Sequence, residues 1–247
     1  MELSEQTCLV TGASRGIGRG IATELGRSGA TVVVNYRTSE GDAYDVVDTI
    51  EEVGGSAIAV QADVSDPNHV EGMRDRVHDA VGSVDVLVNN AGITLDTTFR
   101  EMTWDEWETV LAVNLGGAFN CTKIFYDDIS RANEGRLINI SSVIGKQGHY
   151  GQANYAAAKS GLFGLTRSLA LELARTGTTA NCVAPGYTRT EMVESIPEDI
   201  QDSLRGEIPL GRFAQVREIA GIVAFLSSDV SSYITGEVID VNGAIDL

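Results

Sequence analysis

The chain has 247 residues, 43% of them hydrophobic, and sets 35 acidic side chains against 18 basic ones, for a formal net charge of -17. This length and apolar fraction suit one packed α/β domain spanning 1–247 and exclude a disordered chain. The negative field repels phosphate backbones and anionic membranes, and no apolar run approaches the roughly 18 residues of a membrane span, so a soluble, cytoplasmic protein without nucleic-acid or membrane partners is expected. Cys8, Cys121 and Cys182 form no CxxC pair, and the three histidines lack ligand spacing, so neither disulfides nor a metal site is expected. Short β-branched runs at 7–10, 31–36, 57–62, 84–89, 136–140, 179–184 and 237–241 predict strands. Segments of helical period at 16–28, 39–53, 67–81, 104–131, 151–175 and 215–227 predict helices between them. That alternation implies a parallel sheet, and the apolar run Thr31-Val32-Val33-Val34 implies helices on both of its faces. The polar stretch 188–211, with Pro197 and Pro209, breaks the rhythm and reads either as a substrate lid or as a solvated excursion.

The first strand runs into Thr11-Gly12-Ala13-Ser14-Arg15-Gly16-Ile17-Gly18, which opens the first helix. Glycines there let backbone approach a pyrophosphate, and the helix N-terminus offers free N–H groups to it, so Gly12, Ser14, Arg15, Gly16, Ile17 and Gly18 are expected to bind a dinucleotide. A site for NAD would place a carboxylate at the end of the second strand to accept from the ribose 2′-hydroxyl. Here Asn35-Tyr36-Arg37 stands instead, no carboxylate comes before Glu40, and Arg15 and Arg37 both offer forked donors to a phosphate. The expected cofactor is therefore NADP(H). Asp63-Val64 follows the third strand, where the carboxylate can accept from the adenine amino group. Asn89-Asn90-Ala91-Gly92 follows the fourth, where small residues let backbone pass the ribose and nicotinamide. Taken singly, each is equally an ordinary strand-end turn.

Tyr155 and Lys159 are spaced i, i+4 on one helix face. A free tyrosine, with a pKa of about 10, is a poor acid or base at neutral pH, and a neighbouring ammonium, aided by the positive ring of oxidised nicotinamide, favours its phenolate. The same spacing alone is a common accident on any helix. Ser142, at the end of the fifth strand, can hold a substrate oxygen if the following helix folds back along the sheet. Asn114 is polar within the apolar run Val110-Leu111-Ala112-Val113-Asn114-Leu115. It reads either as a local packing compromise or as the holder of a water that relays protons to Lys159.

Together, the TGxxxGxG turn, Asn89-Asn90-Ala91-Gly92, the helical Asn114, the Ser142-Tyr155-Lys159 set and Pro185-Gly186 resemble the classical short-chain dehydrogenase/reductase family over essentially the whole chain. The resemblance implies a single Rossmann-type, doubly wound domain with a seven-stranded parallel sheet flanked by helices on both faces. It implies that Tyr155 is the general acid/base, Ser142 orients the substrate oxygen, Lys159 lowers the tyrosine pKa and binds the ribose, and Asn114 anchors the relay. Pro185, Gly186, Thr188 and Thr190 would hold the carboxamide and phosphate ends of the cofactor. Within the family, the loops resemble 3-oxoacyl thioester reductases, acting on acyl-carrier-protein or CoA esters. The segment from Lys146 to Gln152 and the aromatic Tyr187 are more similar to acetoacetyl-CoA reductases. Asp96, Ser142, His149, Tyr150, Gln152 and Tyr187 are the expected substrate residues. His149 and Tyr150 read equally as loop surface. Glu101 departs from the basic residue that the CoA branch can carry, with Arg100 beside it as a substitute. The expected activity is reduction of acetoacetyl-CoA to (R)-3-hydroxybutyryl-CoA for polyhydroxyalkanoate synthesis, with 3-oxoacyl-carrier-protein reduction as the alternative, by a homotetramer. A non-catalytic dinucleotide sensor would require loss of Asn114, Ser142, Tyr155 or Lys159, and all four are present.

Fifteen arginines, three lysines and the acidic excess resemble proteins of salt-accumulating halophiles. At molar salt the Debye length falls to about 3 Å, so a charge hostile to anionic ligands in dilute buffer matters little there. An acidic mesophilic protein is the other reading.

Overall fold

Runs of valine and isoleucine bury both their faces only where helices cover the sheet on each side, and strands and helices alternate accordingly. In the computed structural model, which describes residues 2–132 and 134–246, the first half contains β1 (Thr7–Val10), α1 (Gly16–Arg27), β2 (Thr31–Tyr36), α2 (Glu40–Glu52), β3 (Ser56–Gln61), α3 (Pro67–Val81) and β4 (Val86–Asn89). There follow α4 (Trp104–Leu111), α5 (Gly117–Ile124), α6 (Tyr126–Arg131), β5 (Arg136–Ile140), α7 (Ile144–Gln147), α8 (Ala153–Leu173) and β6 (Thr179–Pro185). The last part comprises β7 (Thr188–Arg189), α9 (Glu191–Glu194), α10 (Glu198–Glu207), β8 (Ala214–Gln215), α11 (Val216–Ser227) and β9 (Val238–Val241).

Seven strands form a parallel sheet in the order β3-β2-β1-β4-β5-β6-β9. Strand alternation sends Val10, Val32, Val34, Val88 and Ile138 into a core shared with α1, α2 and α11. Leu9, Val33, Leu87 and Leu137 point the other way, into a core with α3, α5, α6 and α8. The fold is the expected α/β domain of Rossmann type. The strand order reverses between β1 and β4, which opens a crevice at their carboxyl ends.

The structure departs from the sequence expectations in two places, and it adds elements to the stretch 188–211, which the sequence left unassigned. The helix expected over 104–131 is broken into three. It starts at a capping box of Thr103 and Glu106, but a π turn, Ala112–Gly116, separates α4 from α5, and Phe125 leaves helical geometry before α6. The cause of the first break is Asn114, whose side-chain amide donates to the Val110 carbonyl one turn back at 2.9 Å and competes with the backbone ladder. The strand expected over 84–89 starts two residues later, since the Asp128 carboxylate takes the Val84 N–H at 3.1 Å. The stretch 188–211 contains a two-residue strand, β7, paired with β8, and the helices α9 and α10. No helix among the described residues is long and apolar enough to cross a membrane.

Candidate active site

The glycines of the first turn are required for two different reasons. Gly12 and Gly16 have φ of 61° and 57°, in the left-handed region that side chains disfavour. Gly12 also has no room for a side chain, since a Cβ there would lie 2.9 Å from the Ala91 Cα, and a Cβ on Gly18 would collide with the Gly12 carbonyl oxygen. Arg15 supplies no side-chain cap to α1 and no acid sits in its first turn, so the N–H groups of that turn are open to an anion. The strand-end turn after β4 is tied to this loop. Asn90 Nδ2 donates to the Thr11 and Gly12 carbonyls at 2.9 and 3.1 Å, and Thr11 Oγ1 accepts the N–H groups of Asn90 and Ala91 at 2.9 and 3.0 Å.

A cleft of about 580 Å³ runs from this turn over the ends of β2, β3 and β4. It brings together Gly12, Ser14, Arg15, Gly16, Ile17, Gly18, Asn35, Tyr36, Arg37, Asp63, Val64, Asn90, Ala91, Gly92 and Thr190. Tyr155, Lys159, Pro185, Gly186 and Thr188 lie outside that lining. Thr38, Ser39, Ile93, Val113 and Glu191 line it without having been singled out from sequence. Ile93 and Val113 carry no signal there, because an apolar residue looks the same in a core and in a cleft wall. Open N–H groups, glycines that a Cβ would overfill and a long cleft at the sheet's reversal point fit a dinucleotide.

The end of β2 divides its work. Asn35 is buried, with Oδ1 accepting from the Gly12 N–H and Nδ2 donating to the Val60 and Ala62 carbonyls, each at 3.2 Å. Its amide is committed to backbone and braces the turn. Tyr36 donates its hydroxyl to Glu40 at 3.3 Å. Arg37 is exposed, 3.9 Å from the Asp63 carboxylate. Partial burial pushes the Asp63 carboxyl up, but hydrogen bonds from Ser65 and then the nearby Arg37 outweigh it and hold the group below the usual range. Arg15 is exposed and makes no ion pair among the described residues.

Beyond the cleft, α8 folds back along the sheet and gathers the four expected catalytic side chains. Tyr155 is hydrogen-bonded to the Ser142 side chain, and Ser142 Oγ accepts the Ile144 N–H at 3.2 Å. Lys159 is buried, donates from Nζ to the Ile140 carbonyl at 2.8 Å and lies 5.6 Å from the Tyr155 ring centroid. Asn114 donates to the Ile93 and Val110 carbonyls, both at 2.9 Å, while its buried Oδ1 has no partner. A Cβ built on Gly92 would lie 2.6 Å from that Oδ1 and 3.4 Å from Lys159 Nζ, so both groups converge on the Gly92 backbone.

Charge in this cluster differs from the sequence expectation. Burial lowers Lys159 from 10.5 to about 8. Burial also raises Tyr155, against the opposing bond from Ser142 and with Asp96 adding to the rise. In the protein alone, desolvation therefore outweighs the help that Ser142 gives a phenolate.

The expected substrate residues separate into two groups. Asp96 accepts from Gln152 Nε2 at 2.8 Å, the Thr97 N–H donates to the Gly151 carbonyl at 2.9 Å, and Asn154 Nδ2 donates to the Leu95 carbonyl at 3.1 Å. Two loops are thereby stitched beside Tyr155. His149 and Tyr150 instead face solvent: Tyr150 is 84% exposed, and His149 Nδ1 meets the Tyr150 carbonyl. Tyr187 is half-buried, edge-on to Phe213 at 6.3 Å. Gly186 passes close beneath the C-terminal segment, its N–H donating to the Val241 carbonyl at 3.0 Å, and Thr188 Oγ1 donates to the Gly186 carbonyl at 3.0 Å. Among the described residues no group of three or more His, Cys, Asp or Glu can hold a metal ion.

A family described as enoyl-(acyl carrier protein) reductase matches residues 12–245. The 3-oxoacyl-(acyl-carrier-protein) reductase FabG of Staphylococcus aureus (strain Mu50) is 46% identical over 240 residues, 97% of this chain and 98% of its own length. FabG of Staphylococcus epidermidis (strain ATCC 12228) is 45% identical with the same coverage. The 3-oxoacyl-(acyl-carrier-protein) reductase of Synechocystis sp. is 45% identical over 244 residues, 98% of each chain. All three names specify a carrier-protein thioester rather than a CoA ester. Matches of this extent make the chain a member of the classical short-chain dehydrogenase/reductase family.

Proposed function

We propose that the protein is an NADPH-dependent reductase of 3-oxoacyl thioesters, with the acyl group borne on acyl-carrier protein. The observation that carries this reading is the Ser142–Tyr155–Lys159 cluster meeting the unpartnered Oδ1 of Asn114 beside Gly92. The cofactor, when bound, supplies the hydride. Ser142 and the Tyr155 hydroxyl bind the ketone oxygen, and Tyr155 delivers its proton as that oxygen becomes an alcohol. Lys159 holds the ribose and returns a proton to Tyr155. Asn114 Oδ1 accepts from a water that refills Lys159. The open N–H groups of α1 hold the pyrophosphate, while Arg15 and Arg37 hold the 2′-phosphate once Arg37 leaves Asp63. Asp63 takes the adenine amino group.

Names of relatives favour the carrier protein as the bearer of the acyl group. A second reading, acetoacetyl-CoA reduced to (R)-3-hydroxybutyryl-CoA for polyhydroxyalkanoate synthesis, is favoured by the exposed aromatic Tyr150 and by Arg100, which is exposed and free of ion pairs among the described residues. Segment 188–211 is proposed as the lid, since Thr190 and Glu191 border the cleft. The working form is proposed to be a cytoplasmic homotetramer.

Steady-state kcat/KM on acetoacetyl carrier protein beside acetoacetyl-CoA, each with NADPH and NADH, tests the reading. The carrier-protein thioester and NADPH are expected to win. Negligible rates on both thioesters would sink it, and Tyr155→Phe should abolish turnover while NADPH still binds.

A further inference from the structure

Inner strands of this sheet are almost wholly apolar, yet one row crosses three of them with polar groups. Asn89 of β4 stands opposite Asn139 of β5, and Asn139 opposite Cys182 of β6. All three are buried, Asn139 and Cys182 completely. Asn89 Nδ2 donates to Asn139 Oδ1 at 2.9 Å and to Thr122 Oγ1 on α5 at 3.0 Å. Asn139 Nδ2 donates in turn to Thr166 Oγ1 on α8 at 2.8 Å. The Thr166 and Ser141 side chains lie beside the Cys182 thiol, and the Ser141 hydroxyl donates to the Lys159 carbonyl at 2.8 Å. The row thus joins α5 to α8 through the sheet, and α8 carries Tyr155 and Lys159.

An apolar contact between helix and sheet tolerates a slide of an ångström; a hydrogen bond in the core does not. Leaving a buried amide unpaired costs about 1–3 kcal/mol. Thr166 lies two turns beyond Lys159 on the same buried stripe of α8, together with Ala158 and Leu162. Close packing supports the helix on either side, since a Cβ on Gly161 would lie 2.8 Å from Leu115 and one on Gly145 2.9 Å from the Lys159 backbone, but these apolar contacts carry no directional bond. Any slip of α8 that misplaces Lys159 also breaks the Asn139–Thr166 bond.

We infer that Asn139 and Thr166 are positioning residues that fix the register of α8, and with it the place of Lys159 Nζ against Tyr155, with Asn89 and Thr122 as the outer anchor. The inference rests on the reductase reading; wild-type turnover tests that reading, and the ratio of variant to wild type tests this one. Thr166→Val keeps the side-chain shape and removes the hydroxyl. It is expected to lower kcat about tenfold, the rate equivalent of one hydrogen bond, with the NADPH KM within about twofold of wild type. Carbon-13 NMR of labelled lysine, tractable with three lysines, should show the Lys159 titration displaced by about half a pH unit in the free protein. Thr166→Ser should restore both. A valine variant with wild-type kcat and lysine titration overturns the inference. So does a serine variant as impaired as the valine one, since loss would then follow packing and not the bond. Should the valine variant fail to fold, Thr166→Ala gives the same reading.

Discussion

Lys159 brings an amine into a site that water barely reaches, with one carbonyl, that of Ile140, as its hydrogen-bond partner. Its folded pKa of about 8 lies below the ordinary 10.5, so the charged form is disfavoured by folding. Above about pH 10.5 the amine is neutral folded or unfolded and costs nothing; as pH falls toward 8 the unfolded chain takes up the proton first, and below 8 the whole penalty is present. That penalty is about 3 kcal/mol at most, against about 1 kcal/mol for the hydrogen bond to Ile140. Lys159→Met is therefore expected to abolish turnover yet raise the Tm of the free protein at pH 7 by a few degrees, as about 1 kcal/mol does for a domain of this size. Thermal melts from pH 7 to 10.5 check it: the variant's advantage should shrink through that window, and an advantage that stays constant with pH would refute a buried charge as its origin. A second expectation concerns Arg37, which rests near Asp63 at 3.9 Å. Arg37→Ala should lower kcat/KM for NADPH about tenfold or more while leaving NADH nearly unchanged, as loss of a charge-assisted contact of about 1.5–3 kcal/mol predicts.

Helix α11 ends without a basic residue of its own, and a strand supplies one. Arg136, the first residue of β5, is 1% exposed, and its Nη2 donates to the Ser228 carbonyl at 3.1 Å, at the C-cap of α11. Burial pulls its pKa below the usual value, with Glu134 and Asp229 opposing, but no carboxylate bonds it among the described residues. The cation thus takes the place of a last-turn lysine at a helix end that favours positive charge. Arg136→Leu strands that carbonyl and is expected to cost about 1–3 kcal/mol, read as faster amide exchange at Phe225 to Asp229 with kcat little changed. Such long-range caps leave no trace in a linear pattern, which marks where sequence reading stops. Residues 31–36 and 136–140 are strands as expected, because β-branched runs flanked by turns have few other ways to bury themselves. The break at 112–116 was not legible, since it depends on which carbonyl Asn114 chooses. Nor was α10, which buries none of its residues and carries Ile200 and Leu204 alone as apolar side chains in a charged run. Within the site, positive-φ glycines were legible because only glycine suits them. Ser142, Tyr155 and Lys159 were legible only jointly, and the row from Asn89 to Thr166 not at all.

At the scale of the whole molecule, two surface properties bear on assembly and solvent, apolar exposure and charge. Trp104, Phe119 and Leu171 are 83%, 55% and 81% exposed on α4, α5 and α8, large side chains for open water. If they are covered in a homotetramer, Leu171→Glu should lower the mass measured by light scattering, whereas a wild-type monomer would remove the proposal. Charge sets two forces against each other. Exposed ion pairs such as Arg131–Asp127 and Arg189–Glu194 weaken as salt screens them, but each is worth only about 0–1 kcal/mol. Against them stands self-repulsion among 35 carboxylates facing 18 cations, which salt relieves. Screening shortens from about 10 Å at 0.1 M to about 3 Å at 1 M, a change felt more by the many distant like charges than by contacts near 3 Å. Repulsion should therefore dominate, and Tm should climb steadily as potassium chloride rises from 0.1 to about 2 M. Such a rise suits a chain whose composition resembles that of salt-accumulating halophiles. A Tm that is flat or falls over the same range would show that the ion pairs outweigh the repulsion, and would return the acidic excess to an ordinary solvated surface.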